Sequence, residues 1–162
     1  MSTVTIRPAT TADLDGLVQS NDDLFAEDGV SRDRLRNADW PVDNAKPWCE
    51  GLIAAPDALV LVAVEDGDEE AEEVVGHLIG SFSPASSMWT AARAELVSTF
   101  VTESHRGQGL GSRMVEDFIA WGRERGAARL HVSAYAANGS AIRFYQRHGF
   151  VPLSIELTAE LY

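Results

Sequence analysis

The sequence predicts an α/β (α+β) domain in which helices cover one central mixed sheet. Three observations carry this. Two apolar, β-branched runs flank a turn signal, as in a hairpin, and a third such run follows them. The third run leads through the glycine-rich stretch "HRGQGLGSRM" into an amphipathic helical pattern and then another strand. The chain has 162 residues, 45% of them hydrophobic, which is enough for one domain with a buried core. No internal repeat and no Pro/Ser-rich linker divides it, so residues 1–162 are expected to form a single unit.

In chain order, "TVTIRP" alternates and stops at a proline, which reads as a first strand. "TTADLDGLVQSN" places Thr10 and Asp13 in capping-box spacing and Leu14, Leu17 and Val18 on one helical face. From about Asp22 to Pro56 the pattern is broken by Pro41 and Pro47, and short helices are expected there. Ala58 to Glu65 and Val74 to Phe82 read as a β-hairpin whose charged tip carries the Asp66-Gly67 turn signal. "SPASSMWTAAR" is a loop, and Ala94 to Val101 is a buried strand. A helix is expected from about Gly109 to Arg125, with Leu110, Met114, Val115, Phe118 and Ile119 on its apolar face and Gly126 beyond its end. "ARLHVSAY" is a strand. Asn138 caps a short helix that ends at Gly149, and "VPLSIELTAEL" closes the chain as a final strand.

The formal charge of −12 is concentrated. "EDGDEEAEE", Glu65 to Glu73, holds seven acids and no base; without it 13 basic residues face 18 acidic ones. The run reads as a solvated loop. The balance excludes general nucleic-acid binding, which needs a basic footprint, and leaves room for a cationic substrate. No run is long and apolar enough for a membrane span, and the first residues lack a signal-peptide layout. Cys49 is the lone cysteine, so neither a disulfide within the chain nor a cysteine-based metal cluster is expected. His77, His131 and His148 have no metal-ligand spacing, and no metal is expected. The expected setting is cytoplasmic.

A strand, a short turn and a glycine-rich start to a helix make an anion site. The first helical amides lack internal partners and carry the positive end of the dipole. Glycines at 107, 109 and 111 let backbone approach a pyrophosphate. The nucleoside-triphosphate pattern fails because no lysine follows these glycines, and the dinucleotide pattern G-x-G-x-x-G fails on spacing and position. The pattern present is R-x-x-G-x-G: Arg106, Gly109 and Gly111. A second block, N-x-x-A-x-x-F-Y-x-x-x-G-F, is met by Asn138, Ala141, Phe144, Tyr145, Gly149 and Phe150. In these blocks the chain resembles the GNAT N-acetyltransferase superfamily, from Ala94 to Phe150.

That resemblance implies a mostly antiparallel, twisted mixed sheet and acetyl-CoA as co-substrate, held by a core of about residues 94–150. It implies acetyl transfer to a primary amine, from a small molecule or a protein, by direct attack in a ternary complex. Arg106, Gly107, Gln108, Gly109, Leu110, Gly111 and Ser112 would grip the pyrophosphate. Phe100 and Val101 would offer backbone to the pantetheine arm, and Asn138 would bond the cofactor while capping its helix. Tyr145 would stand by the sulfur as general acid. Glu95 would serve as general base or orient the acceptor; its flanks, Ala94 and Leu96, suggest an apolar setting that favours a base. His105 is a loop residue beside the cofactor. Trp40, Trp48 and Trp89 wall an acceptor pocket or belong to the core. A domain that binds acetyl-CoA as a sensor without turnover is the alternative, and a homodimer is compatible with the family.

Overall fold

A computed structural model describes residues 2–67 and 72–161. Its sheet has the strand order β1 (Val4–Pro8), β2 (Ala58–Glu65), β3 (Glu73–Ser83), β4 (Arg93–Val101), β5 (Arg129–Val132). The first three neighbouring pairs are antiparallel and the last is parallel, as a meander followed by a strand–helix–strand unit requires. Glu65 opposite Glu73 closes the expected hairpin; residues 68–71 of its tip lie outside the described residues.

β2 shows why the sheet needs cover on both faces. Its apolar residues are continuous rather than alternating with polar ones, the mark of a strand buried on two sides. Leu61 and Ala63 join Leu78, Leu96, Met114 and Phe118 beneath α3 (Leu110–Glu124, counted after α1 and α2 below). Val60, Val62 and Val64 join Leu14, Leu17, Cys49 and Ile79 on the other face. There the cover is α1 (Leu14–Leu24) and α2 (Trp40–Ala54). Close approach of α3 depends on small residues: a Cβ on Gly80 would stand 2.9 Å from the Phe118 ring.

At the start of α1 the expected capping residues are in place. Asp13 accepts from the Thr10 backbone N–H at 2.8 Å and from both terminal nitrogens of Arg7 at 2.8 and 2.9 Å. The arginine holds the Asp13 carboxyl below the usual carboxylate range. The region from Asp22 to Pro56 is more regular than expected. A π-helical turn, Phe25–Val30, extends α1, and α2 is a single helix of 15 residues. Pro41 sits in its first turn, where no N–H is required, and Pro47 is tolerated inside. Its buried stripe is Pro41, Ala45 and Cys49, small residues at helical spacing that give little hydrophobic signal.

Two expectations about strands need correction. β5 stops at Val132 rather than Tyr135, and residues 151–161 form no strand. A bulge explains the first: Ile79 faces Ser98 while Gly80 faces Leu96, leaving Val97 unmatched. Beyond Leu96, β4 and β5 part, and β5 loses its ladder partner. The final run has no ladder partner among the described residues, and its side chains are exposed. The last helix, α4 (Gly139–Arg147), begins where Asn138 Oδ1 accepts from the Ala141 N–H at 3.2 Å.

Candidate active site

Where β4 and β5 part, the β5-facing edge of residues 97–101 has no strand beside it among the described residues. Just beyond, a short 3₁₀ turn, Glu103–His105, leads into the glycine loop. Gly107 and Gly109 take φ of +76° and +82°, which strains any L side chain, and no atom lies within 4 Å of where a Cβ would stand. Arg113 N–H bonds to Gly109 O at 3.0 Å, so the helical amides before it have no partner within α3. Open space, left-handed glycines and unpaired amides at a helix start together fit a pyrophosphate.

The groove there is about 290 Å³ and is walled by the loop, Val101, Phe144 and Arg147. Of the residues expected to bind cofactor, Val101, Arg106, Gly107, Gly109, Leu110, Gly111 and Ser112 line it; Phe100, Gln108, Asn138 and Tyr145 do not. Arg106 is locked in place. Its Nε donates to Val101 O and its terminal nitrogen to Glu27, each at 2.8 Å, and its guanidinium lies 5.2 Å from the Phe100 ring centre. Arg147 is a lining cation that sequence reasoning missed. The available signal was its place three residues after Phe144, on the same face of α4.

His105 ends the 3₁₀ turn, rather than lying in irregular loop, and lines the groove. Its Nε2 lies 3.0 Å from Glu65 Oε2, and its Nδ1 lies 3.0 Å from Thr102 Oγ1. Hydrogen bonds from Ser2 and His105 draw the Glu65 carboxyl below its usual range. The side chains of Glu65 and Glu72 in the acidic run are therefore engaged, since Glu72 also accepts from Arg7 at 2.5 Å.

Tyr145 packs edge-on against Phe144 and Phe150, with ring centres 5.3 and 5.9 Å away. Burial pushes its hydroxyl up to about 12, and the nearby Asp28 charge adds to this. A phenol in that environment stays protonated at neutral pH and can donate. Asn138 has committed both ends of its amide: Oδ1 caps α4, and Nδ2 donates to Asp28 at 3.0 Å. Glu95 departs from expectation. Ala94 and Leu96 point to the opposite face, towards α3, and leave its side chain 51% exposed rather than enclosed. His131 Nδ1 lies 3.8 Å from Glu95 Oε1.

The tryptophans divide. Trp48 packs on the core beneath α2, whereas Trp40 and Trp89 are partly exposed. Trp40 stacks on Phe25 at 6.2 Å, and the Arg93 guanidinium covers Trp89 at 3.8 Å. Cys49 is buried as expected, and burial raises its thiol to about 11, an unreactive state. Among the described residues no cluster of His, Cys, Asp or Glu has the makings of a metal site, and no helix is long and apolar enough to cross a membrane.

Residues 22–150 match the profile of the acetyltransferase (GNAT) family. The chain belongs to this family. Among curated relatives, a mycothiol acetyltransferase from Jonesia denitrificans is 30% identical over 145 residues. That alignment covers 88% of this chain and 41% of the relative, so the chain spans about two fifths of that protein's length. Solved structures give the same fold. A mutant protein from Bacillus halodurans superimposes with a TM-score of 0.82 at 19% identity, covering 98% of this chain and 99% of its own. A predicted acetyltransferase from Clostridium acetobutylicum, solved with acetyl-CoA, gives 0.73 at 15% identity, covering 98% and 97%. The GNAT fold, a mixed sheet between helices, is thus common to all three.

Proposed function

We propose that this chain moves an acetyl group from acetyl-CoA to a primary amine by direct attack in a ternary complex. The groove carries the reading: left-handed glycines and open helix amides meet the unpaired edge of β4 at one place. Family membership supports it, as does the solved neighbour with acetyl-CoA.

In this reading the amides of residues 107–112 and the side chains of Arg106 and Arg147 hold the pyrophosphate. Backbone groups of residues 97–101 pair with the pantetheine arm as a strand would. Glu95 accepts a proton from the acceptor ammonium. This matters because an alkylamine, with a pKa near about 10.4, is almost wholly protonated at neutral pH. The free amine attacks the thioester carbonyl, the attacking nitrogen releases its second proton to water, and the carbon–sulfur bond breaks as Tyr145 gives its hydroxyl proton to the departing thiolate and regains one from solvent. Holding both reactants side by side supplies proximity without an acyl-enzyme. Asn138 acts by positioning α4, and with it Tyr145. Residues 1–162 work as one unit in this proposal, in a cytoplasmic setting, with Trp40 and Trp89 facing the acceptor.

The experiment is a screen of small and peptide amines that follows free thiol, beside calorimetric titration with acetyl-CoA. Binding with amine-dependent thiol release is the expected outcome. Binding without release for any amine would make the domain a sensor. Absence of binding would remove the groove's assignment.

A further inference from the structure

We propose that His77 is a positioning residue for the cofactor groove: by holding the Ser98 hydroxyl, it selects the bulged register of β4 that parts this strand from β5. The inference rests on the proposed use of that edge by the pantetheine arm. Alternation identifies the faces. Ala94 and Leu96 lie in the layer beneath α3, so in a regular strand Val97 would face α1 and Ser98 would return beneath α3. The observed order differs. Ser98 stands opposite Ile79, which belongs to the layer packed on α1 and α2, and Val101 rejoins the layer beneath α3. Val97 is the residue in excess, and it is 42% exposed.

The side chains around Ser98 account for this choice. His77 and Ser20 are both buried. Ser20 Oγ lies 2.6 Å from Nδ1 of the ring, Nε2 lies 2.7 Å from Ser98 Oγ, and Ser98 donates to Asn21 Oδ1 at 3.1 Å. The Asn21 amide is fixed in turn, because its Nδ2 donates to Leu17 O at 3.0 Å. Each hydrogen bond then has one direction: Ser20 donates to the ring, the ring to Ser98, and Ser98 to Asn21. A hydroxyl can accept from the ring and donate to the amide at once; the valine beside it can do neither. A slip of one residue would set the Val97 methyls against His77. It would also carry the Ser98 hydroxyl opposite Leu78, into the apolar layer beneath α3. Two buried polar groups would lose their partners, and that loss opposes the slip.

The register matters to the groove in two ways. Successive residues of a strand point their N–H and C=O groups to opposite edges. A slip therefore reverses which of residues 97–101 offer theirs to the β5 side. It also exchanges the faces of Phe100 and Val101. In the bulged register the Phe100 ring centre lies 5.2 Å from the Arg106 guanidinium, and Val101 walls the groove. His77 lines no part of the groove and acts through Ser98.

The test is calorimetric titration of the full chain with acetyl-CoA, beside NMR of cross-strand contacts and circular dichroism to verify folding. In the wild type, residue 98 is expected to be the cross-strand neighbour of Ile79. His77→Leu and Ser98→Ala should move that contact towards residue 97. Both should weaken acetyl-CoA affinity by about tenfold, the scale of one lost buried hydrogen bond. His77→Gln keeps a donor for Ser98 and an acceptor for Ser20, so it should stay within about threefold of the wild type. Should His77→Leu fail to fold, Ser98→Ala carries the test, since it deletes one half-buried hydroxyl. A role in stability alone would lower the denaturation midpoint yet leave the affinity of the folded variants unchanged, and that result overturns the proposal. So does lost affinity with residue 98 still opposite Ile79. A wild type that binds no acetyl-CoA would remove the functional reading, and the Ile79 contact would still decide whether His77 holds the register.

Discussion

Tyr145 and Glu95 differ most in their surroundings. The buried phenol keeps its proton to about pH 12, so its acid form is present throughout the usual assay range. Tyr145→Phe is expected to lower turnover by ~10²-fold or more, as loss of a general acid does, with acetyl-CoA affinity within a few-fold. Stopped assays over pH 7–10 should show no alkaline fall for the wild type that Tyr145→Phe abolishes. A loss below about threefold would assign the ring to packing against Phe144 and Phe150. Glu95 stands half in solvent, so its use to the reaction rests on position rather than enclosure. Glu95→Gln should depress turnover most near neutral pH and recover partly as the pH rises, because more acceptor is then already neutral. An unchanged pH–rate profile in that variant would leave deprotonation to water or another group.

The glycine loop and α3 act as one element. Gly109, at φ +82°, is the residue after which the chain turns into the helix, and the space beside it is open. A branched side chain there is strained in backbone and also fills the approach to the helix amides. Gly109→Val should therefore lose at least about tenfold in acetyl-CoA affinity, equivalent to about 1.4 kcal/mol. Calorimetry on a variant with wild-type circular dichroism checks it, and unchanged affinity would dissociate the loop from the cofactor. The bulge at Val97 is the companion feature. It separates β4 from β5 and frees backbone beside the loop, which no pattern of hydrophobic residues announces.

Across the whole molecule, His77 pins the helical layer to the sheet. It is fully buried, with Nδ1 2.6 Å from Ser20 Oγ on α1 and Nε2 2.7 Å from Ser98 Oγ on β4. Ser98 donates to Asn21 Oδ1 at 3.1 Å, so Nε2 carries the ring proton and Nδ1 accepts from Ser20. Burial lowers the imidazole to about 3, below its ordinary 6.5. The unfolded chain then takes up a proton that the folded one refuses, and stability falls as pH drops from about 6.5 towards 3. The slope from this residue alone approaches about 1.4 kcal/mol per pH unit within that window. Chemical denaturation at pH 7, 6, 5 and 4 should show a shallower fall for His77→Gln than for the wild type. Equal slopes would mean that the ring is protonated in the folded state.

Much of this fold is legible in local chemistry. β2 and β3 are recognisable because β-branched residues run together between turn signals, and α3 because Leu110, Met114 and Phe118 recur at helical spacing before Gly126. The anion site is legible too, since glycines and an arginine at fixed spacing act through backbone that lies close in sequence. Other features depend on neighbours distant in the chain. α2 conceals its buried stripe in small residues, and only contact with α1 and β2 explains it. Asn138 and Asp28 meet across 110 residues, and Arg147 enters the groove only because α4 crosses the start of α3. The final run has every local property of a strand and forms none in this chain. Strand propensity and alternation are properties of a segment, but a strand needs a partner's backbone, and the tertiary structure decides whether one is there.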